Sequence, residues 1–218
     1  MLSRLLLVAS IAVTTTAGAT TVSWTDWTGL NPTAGTAVGS IAAPSGTVGV
    51  SYAGGYAPGP TQTACGTTWW AGGNYNGTFN KPFDCDIIAL NAGGQKTITF
   101  DTEVTDPYMA LMSWNGNTVV FSAPIEVVAN GTGFWGSGTP IVNAAGDGFF
   151  GQGEVHGIIR FRGTFRSISF TDTSENWHGF TIGIEDRASV PVPAPATLAL
   201  LLPAFAAAFL ATRRRRQA

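Results

Sequence analysis

Two histidines and a few scattered carboxylates are the residues of this 218-residue chain whose chemistry could support catalysis. His156 and His178 are the candidate bases of a Ser–His–Asp site, but the sequence contains no Gly-x-Ser-x-Gly turn to present a serine nucleophile. Glycoside hydrolysis needs two carboxylates facing one sugar, and Glu126, Glu154 and Glu175 are the candidates. Nothing in the sequence brings two of them together, so we expect no catalytic residues and no enzymatic activity.

Glu154 and His156 lie two positions apart on a predicted strand, so they share one face of it. We interpret this pair as part of a solvated strand face, or as partners of Arg160 or Arg166 across neighbouring strands.

Acidic residues in two short segments leave calcium binding open. The segment "FDCDII" contains Asp84 and Asp86, and "FDTEVTD" contains Asp101, Glu103 and Asp106. Hard cations prefer such oxygen ligands, but there is no Asp-x-Asp-x-Asp-Gly loop, and alternating acids are ordinary on the wet face of a strand. We therefore predict no metal site and no cofactor, with Ca²⁺ as the alternative.

Tryptophans in glycine-rich segments are the strongest indication of ligand binding. Trp69 and Trp70 lie in the segment "ACGTTWWAGGNYNG", and Trp135 lies in "GTGFWGSGT". Exposed indole rings stack well on sugar faces, so we predict Trp69, Trp70 and Trp135 as ligand-binding residues. The alternative is that these rings cover the ends of the core, as we expect of Trp114 and Trp177.

The composition predicts an all-β domain. With 28 Gly, 12 Pro and 11% charged residues the chain is unlike a helical bundle, and 44% hydrophobic residues argue against disorder. Short β-branched runs alternate in hydrophobicity, as in "GTVGVSY", which places Val48, Val50 and Tyr52 on one face. We predict nine to eleven strands, a tight turn at Arg162-Gly163, and an antiparallel two-sheet, jelly-roll-like β-sandwich over residues 20–190. A closed barrel is the alternative.

The charge is unevenly distributed along the chain. Five of the 11 basic residues lie in the terminal segments, which leaves six against 13 acidic residues and gives the remainder a net charge of about −7. Such a surface repels phosphate backbones, so we exclude nucleic acid as a partner.

The N-terminus predicts export. In residues 1–19, Arg4 precedes an apolar stretch and Ala17-Gly18-Ala19 supplies a small-residue cleavage site, as in a signal peptide. A short buried helix is the alternative. In an exported chain the two cysteines, Cys65 and Cys85, predict one disulfide, with two free thiols as the alternative.

The C-terminus predicts a single membrane-spanning helix. Residues 196–212 carry no charge, and the apolar side chains in this stretch include Leu198, Leu200, Leu202, Phe205 and Leu210. A cluster of arginines follows at once, and the positive-inside rule keeps it cytoplasmic: Arg213, Arg214, Arg215 and Arg216. A C-terminal helix packed on the domain is the alternative.

The chain ends in "VPAPATLALLLPAFAAAFLATRRRRQA", which together with the preceding Pro covers residues 191–218. This ending closely resembles the PEP-CTERM sorting signal. The residues at the position of the signal's motif are Val192, Pro193, Ala194 and Pro195. Ala194 stands where the family has Glu. The resemblance implies a Gram-negative exosortase, a transpeptidase-like membrane enzyme, as processing partner. It also implies a precursor in the inner membrane and delivery to the cell envelope surface or the extracellular space. An uncleaved tail would remain as an anchor.

We therefore expect an exported, non-catalytic protein of the cell surface or extracellular matrix, associated with exopolysaccharide. The alternatives are a lectin-like carbohydrate-binding module, a hydrolase and an ice-binding protein.

Overall fold

The computed structural model describes residues 20–57, 69–70 and 79–185. The predicted signal peptide (1–19), the sorting tail (191–218) with its membrane helix and arginine cluster, and Cys65 lie outside these residues. Within the described ranges, no helix is both long and apolar enough to cross a membrane.

The protein is all-β, and its strands form two antiparallel sheets. The strands are β1 (Val22–Trp24), β2 (Asp26–Asn31), β3 (Thr36–Ala43), β4 (Gly46–Ala53), β5 (Ile88–Leu90), β6 (Gly94–Thr105), β7 (Tyr108–Trp114), β8 (Thr118–Phe121), β9 (Ile125–Gly131), β10 (Gly138–Val142), β11 (Gly148–Gly153), β12 (Val155–Phe161), β13 (Thr164–Asp172) and β14 (His178–Glu185).

One sheet has eight strands in the order β10-β11-β8-β13-β6-β4-β3-β2. The other has six, in the order β1-β14-β7-β12-β9, with β5 also paired to β14. Successive strands along the chain often lie in different sheets, as β7 and β8 do. The connections at the ends of the strands therefore cross between the two sheets.

The core lies between the sheets. Alternation works as predicted in β4, where Val48, Val50 and Tyr52 are all buried. Aromatic rings from the two sheets meet in the middle: the ring centroids of Phe170 (β13) and Phe180 (β14) are 5.7 Å apart, in an edge-to-face arrangement. The sheets therefore pack face to face as a β-sandwich and do not close into one barrel.

The outer face of the six-stranded sheet is also buried. All seven residues of β7 are buried, which fits its continuous apolar sequence. Trp69, Trp70 and Phe79, from the long connection between β4 and β5, pack on this face together with Ala110 and Ile158. These three side chains therefore cover part of the outer face of the sheet.

The outer face of the eight-stranded sheet is polar and open to solvent. Ser51, Thr99 and Ser167 lie side by side on β4, β6 and β13, and all three are exposed. At one margin of this sheet lies β10, which contains Pro140.

Two expectations need correction. The described residues contain 14 strands, more than the nine to eleven expected, because three-residue strands such as β1 and β5 carry too few residues for a recognisable pattern. The turn at Arg162-Gly163 exists, with Gly163 at a φ of 127°, but it joins β12 of one sheet to β13 of the other. This turn connects two sheets and is not a hairpin within one sheet. The turn residues are the same in both cases, so the sequence alone does not distinguish them.

Candidate functional site

A cleft of about 630 Å³ opens at one end of the sandwich. The connections joining β7 to β8, β9 to β10, β11 to β12 and β13 to β14 form it. It is lined by Ser113, Asn115, Gly116, Trp135, Glu154, Ser174, Glu175, Asn176 and Trp177. Because paired strands hold both ends of each connection, the lining side chains stand on a firm scaffold.

A β-bulge shapes the floor of the cleft. In the pairing of β7 with β12, the partner of Val155 is Trp114 and the partner of Gly157 is Leu111, so β7 carries one extra residue. Ser113 lies in this bulge with a φ of 55°, in the left-handed region that residues with a Cβ adopt at a cost of about 1–3 kcal/mol. The bulge redirects the Ser113 side chain toward the cleft.

The Glu154 carboxylate is held by two neutral donors. The hydroxyl of Ser113 donates a short hydrogen bond to Oε2, and Nδ2 of Asn115 donates to Oε1 at 2.7 Å. Within the part of the chain that the structure describes, no Lys, Arg or His forms an ion pair with Glu154. Its charge is therefore oriented but not neutralised.

A second carboxylate, Glu175, lies deeper in the same cleft. The backbone N–H of Asn115 donates to its Oε2 at 2.8 Å, and Nδ1 of His178 lies 3.6 Å from its Oε1. Burial raises the pKa of Glu175 above its usual value, and the nearby charge of Glu154 raises it further, against the opposing effect of His178 and Asn115. Asn115 thus contacts both carboxylates, one through its side chain and one through its backbone.

A buried network of charged side chains lies next to Glu175, on the side away from the cleft opening. Nε2 of His178 lies 3.0 Å from Oδ2 of Asp172, and Lys96 forms a short ion pair with the other oxygen of Asp172. Burial works against the charged form of His178, but the carboxylates of Asp172 and Glu175 outweigh it and raise the pKa of His178. The network therefore fixes the His178 ring beneath the cleft.

Indole rings form the opposite wall. Trp135 is 44% exposed, and its ring centroid lies 4.8 Å from that of Trp177. Behind them Trp69 stacks on Trp177 at 5.1 Å. Trp135 sits at the tip of a loop closed by a hydrogen bond of 2.7 Å from Gly133 N to Gly136 O, so its position is set by the backbone.

His156 is a structural residue behind the cleft. It is fully buried, and the backbone N–H of Ser113 donates to its Nδ1 at 3.4 Å. Burial lowers its pKa to about 4, so the ring is neutral at physiological pH. Gly133 packs directly on the ring, since a Cβ at this position would lie 2.2 Å from Cγ of His156. The Ser113 hydroxyl donates to Glu154 and not to His156, so this serine and histidine form no catalytic pair.

The three predicted binding tryptophans have different positions. Trp135 is exposed in the cleft, as expected. Trp70 is fully buried, with Nε1 donating to the Asp86 carbonyl at 3.4 Å, and Trp69 is only 8% exposed. The expectation that Trp69 and Trp70 are exposed is therefore wrong, because both rings cover the apolar outer face of the six-stranded sheet. Trp114 is in the core, as expected.

Pairing of Glu154 with Arg160 or Arg166, one of the two interpretations considered, is also wrong. Arg160 instead forms an ion pair of 2.7 Å with Glu126, and Arg166 donates to the backbone carbonyl of Asp101. Glu154 turns into the cleft, where it meets Glu175, a pair of carboxylates that lie 21 positions apart in the sequence.

The acidic residues considered for calcium are dispersed. Asp84 pairs with Lys81 at 2.5 Å, Asp86 is buried against the backbone of Trp27, and Asp106 accepts from the backbone of Gly163. In the described ranges no group of three or more His, Cys, Asp or Glu side chains converges as for a metal ion. Cys85 is buried and carries no free thiol; its expected partner, Cys65, lies outside the described residues, so the Cys65–Cys85 disulfide stays a prediction.

Sequence reasoning missed the polar lining of the cleft. Ser113, Asn115, Ser174 and Asn176 were not candidates, because Ser and Asn are typical of any turn. A usable signal was present in "NGN" (residues 115–117), a turn signature that directly follows β7. No protein-family model, no curated protein and no solved structure matches this chain.

Proposed function

We propose that this chain is an exported, non-catalytic protein of the cell surface or extracellular matrix. It binds polysaccharide through the cleft, and its fold is a jelly-roll-like sandwich. The single observation that carries the binding role is the exposed indole of Trp135 beside a wall of amide, hydroxyl and carboxylate groups. An indole face suits the C–H face of a sugar ring, and the polar wall suits its hydroxyls.

The dimensions of the cleft support this role. Its volume of about 630 Å³ falls within the range of small-molecule sites, about 300–1,000 Å³. The lining groups are positioned by a bulge, a closed glycine turn and a buried ionic network before any ligand arrives. Such pre-organisation reduces the entropy lost on binding.

Delivery to the surface rests on the terminal segments. We propose that residues 1–19 direct export and that residues 191–218 hold the precursor in the inner membrane for an exosortase-type enzyme. One feature agrees with this route: Cys85 carries no free thiol, as is common in exported proteins.

Replacing Trp135 by alanine tests the binding role. We expect W135A in the full-length, detergent-solubilised chain to lose about fivefold to thirtyfold of its affinity for any glycan that the wild type binds, because one stacked ring contributes about 1–2 kcal/mol. Binding is measured on a glycan array and then by calorimetry. The matched control is F150A, since Phe150 is also 44% exposed but lies on β11, away from the cleft. A wild-type chain that binds no glycan, or equal losses in W135A and F150A, would overturn the proposal.

Glycoside hydrolysis is a second candidate, favoured by one observation: two carboxylates in different environments line one cleft. Glu175 is buried and its pKa is raised, as in a general acid, whereas Glu154 is held by two donors, as in a base or nucleophile. Release of reducing ends from a bound glycan, lost in E175Q, would replace the non-catalytic proposal by this one.

A further inference from the structure

The cleft is acidic, and within the described part of the chain no Lys, Arg or His forms an ion pair with Glu154. Glu154 and Glu175 both line it, and none of its lining residues is Lys, Arg or His. The hydrogen-bond donors to the two carboxylates are a hydroxyl, an amide and a backbone N–H, which are all neutral. Of the two carboxylates, Nδ1 of His178 approaches Glu175, at 3.6 Å, and Glu154 has no such neighbour in an ion pair among the described residues. In a concave, partly desolvated site two such carboxylates concentrate negative potential.

A buried histidine beneath the cleft orients Glu175. His178 is fully buried, and its Nδ1 has no hydrogen-bond partner in the described part of the chain. That atom is directed at Oε1 of Glu175 from 3.6 Å. The other oxygen of Glu175 accepts from Asn115, so the carboxylate is oriented from two sides.

The aromatic wall adds a second attraction for a cation. Trp135 and Trp177 meet at a large angle, 65° between the ring planes, and their faces form a corner next to the carboxylates. Indole faces attract ammonium groups and also stack on sugar rings. A positively charged sugar can interact with both walls: its charge with the carboxylates and its ring with the indole faces.

We propose that the cleft binds an amino sugar whose amine is free and protonated, with the ammonium group at Glu154 and Glu175 and the sugar ring on Trp135. This inference rests on the proposed function and narrows its ligand class. An N-acetylated sugar lacks the charge, and a uronic acid is repelled. The net charge of about −7 outside the terminal segments attracts a polymer of such amino sugars before it docks.

Calorimetry on the full-length, detergent-solubilised chain tests the proposal with three tetrasaccharides: a glucosamine, an N-acetylglucosamine and a glucose tetramer. At about pH 6, where the amine is protonated, we expect the glucosamine tetramer to bind at least about tenfold more tightly than either other probe. Raising NaCl from about 50 mM to about 500 mM should reduce this preference, because salt screens charge.

Two isosteric variants distinguish the effect of a carboxylate in the cleft from the effect of the protein's net charge on binding. E154Q should lose the preference for glucosamine and keep its binding of the neutral tetramer, since the amide retains the size and one acceptor. E103Q removes the same charge at an exposed position on β6 that does not line the cleft, and it should keep the preference.

The outcomes distinguish this inference from the function on which it rests. If the neutral or acetylated tetramer binds as tightly as the glucosamine tetramer and W135A abolishes that binding, the inference fails and the sugar-binding role stands. If E154Q and E103Q change the preference equally, the cleft carboxylate has no specific role and the inference fails. If none of the three tetramers binds, both fail.

Discussion

Asp86 is a single carboxylate that the fold buries for structural reasons. It is 6% exposed, and its Oδ1 accepts a hydrogen bond of 3.0 Å from the backbone N–H of Trp27. Burial is the largest influence and raises its pKa to about 6, while the bond from Trp27 opposes this shift. The fold therefore favours the protonated form, and the stability it gains is complete below about pH 4 and lost as the pH rises through about 6.

We predict that D86N increases the free energy of unfolding by about 1–3 kcal/mol at pH 8 and leaves it nearly unchanged at pH 4. The amide keeps the acceptor for Trp27 but carries no charge to bury. Urea denaturation at the two pH values measures the change. D84N is the control, because Asp84 is a half-exposed partner of Lys81. A gain for D86N that is the same at both pH values would contradict the assigned cause.

At the scale of strands, a buried ionic network joins the two sheets. Lys96 belongs to β6 and Asp172 to β13, both in the eight-stranded sheet, whereas His178 opens β14 of the six-stranded sheet. The side chains of Lys96 and Asp172 are 1% and 0% exposed, and Nζ of Lys96 also donates to the carbonyl of Ala92 at 2.8 Å. The network fixes how the two sheets meet directly beneath the cleft.

We predict that K96M lowers the free energy of unfolding by about 3–5 kcal/mol, because it leaves the Asp172 charge buried with a single histidine partner. K81M is the matched control: Lys81 forms an ion pair of 2.5 Å with Asp84, but both side chains are at least one-third exposed, so we expect a loss below about 1 kcal/mol. Urea unfolding of the full-length chains measures both. Equal losses would show that Asp172 does not depend on Lys96.

The strands were predictable where alternation was long. In β6 the buried residues Lys96, Ile98 and Phe100 alternate with Thr97 and Thr99 in just the way the sequence indicates. The presence of Lys96 among them was not predictable, since its partner Asp172 is 76 positions away. The local alternation of residues along a strand defines which side chains face the core. Only the sheet topology defines which polar groups come together in the core.

The cleft was less predictable for the same reason. An exposed Trp135 follows from its glycine-rich surroundings, and the turn at Asn115 follows from "WNG". The convergence of Glu154 with Glu175 requires the ends of β11 and β13 to lie together, which depends on sheet order. The bulge at Ser113 has no sequence signature, because serine is not favoured at positive φ.

At the scale of the whole molecule, we propose separate tasks for the described domain and the terminal segments. The domain holds the cleft, and we propose that residues 191–218 determine where the domain is delivered. Ala194 stands where the sorting signature that this ending resembles has Glu, so a substitution at this position tests the proposed processing of the tail.

We predict that A194E increases the fraction of chain processed near Pro193 and Pro195, because it restores the family signature. Cell fractionation with mass spectrometry of the mature C-terminus measures it, and a chain ending at Val190 is the control that needs no processing. Wild type and A194E both retained in the inner membrane with Arg216 intact would contradict sorting by this tail.

Pro140 on β10 has a consequence for many copies held close together. In the part of the protein that the structure describes, β10 ends the eight-stranded sheet, and a marginal strand accommodates proline where its nitrogen faces away from the neighbouring strand. That nitrogen has no hydrogen to offer, so an incoming strand from an adjacent molecule finds a gap in the ladder. Between closely spaced copies of this protein, pairing edge to edge through β10 is therefore disfavoured.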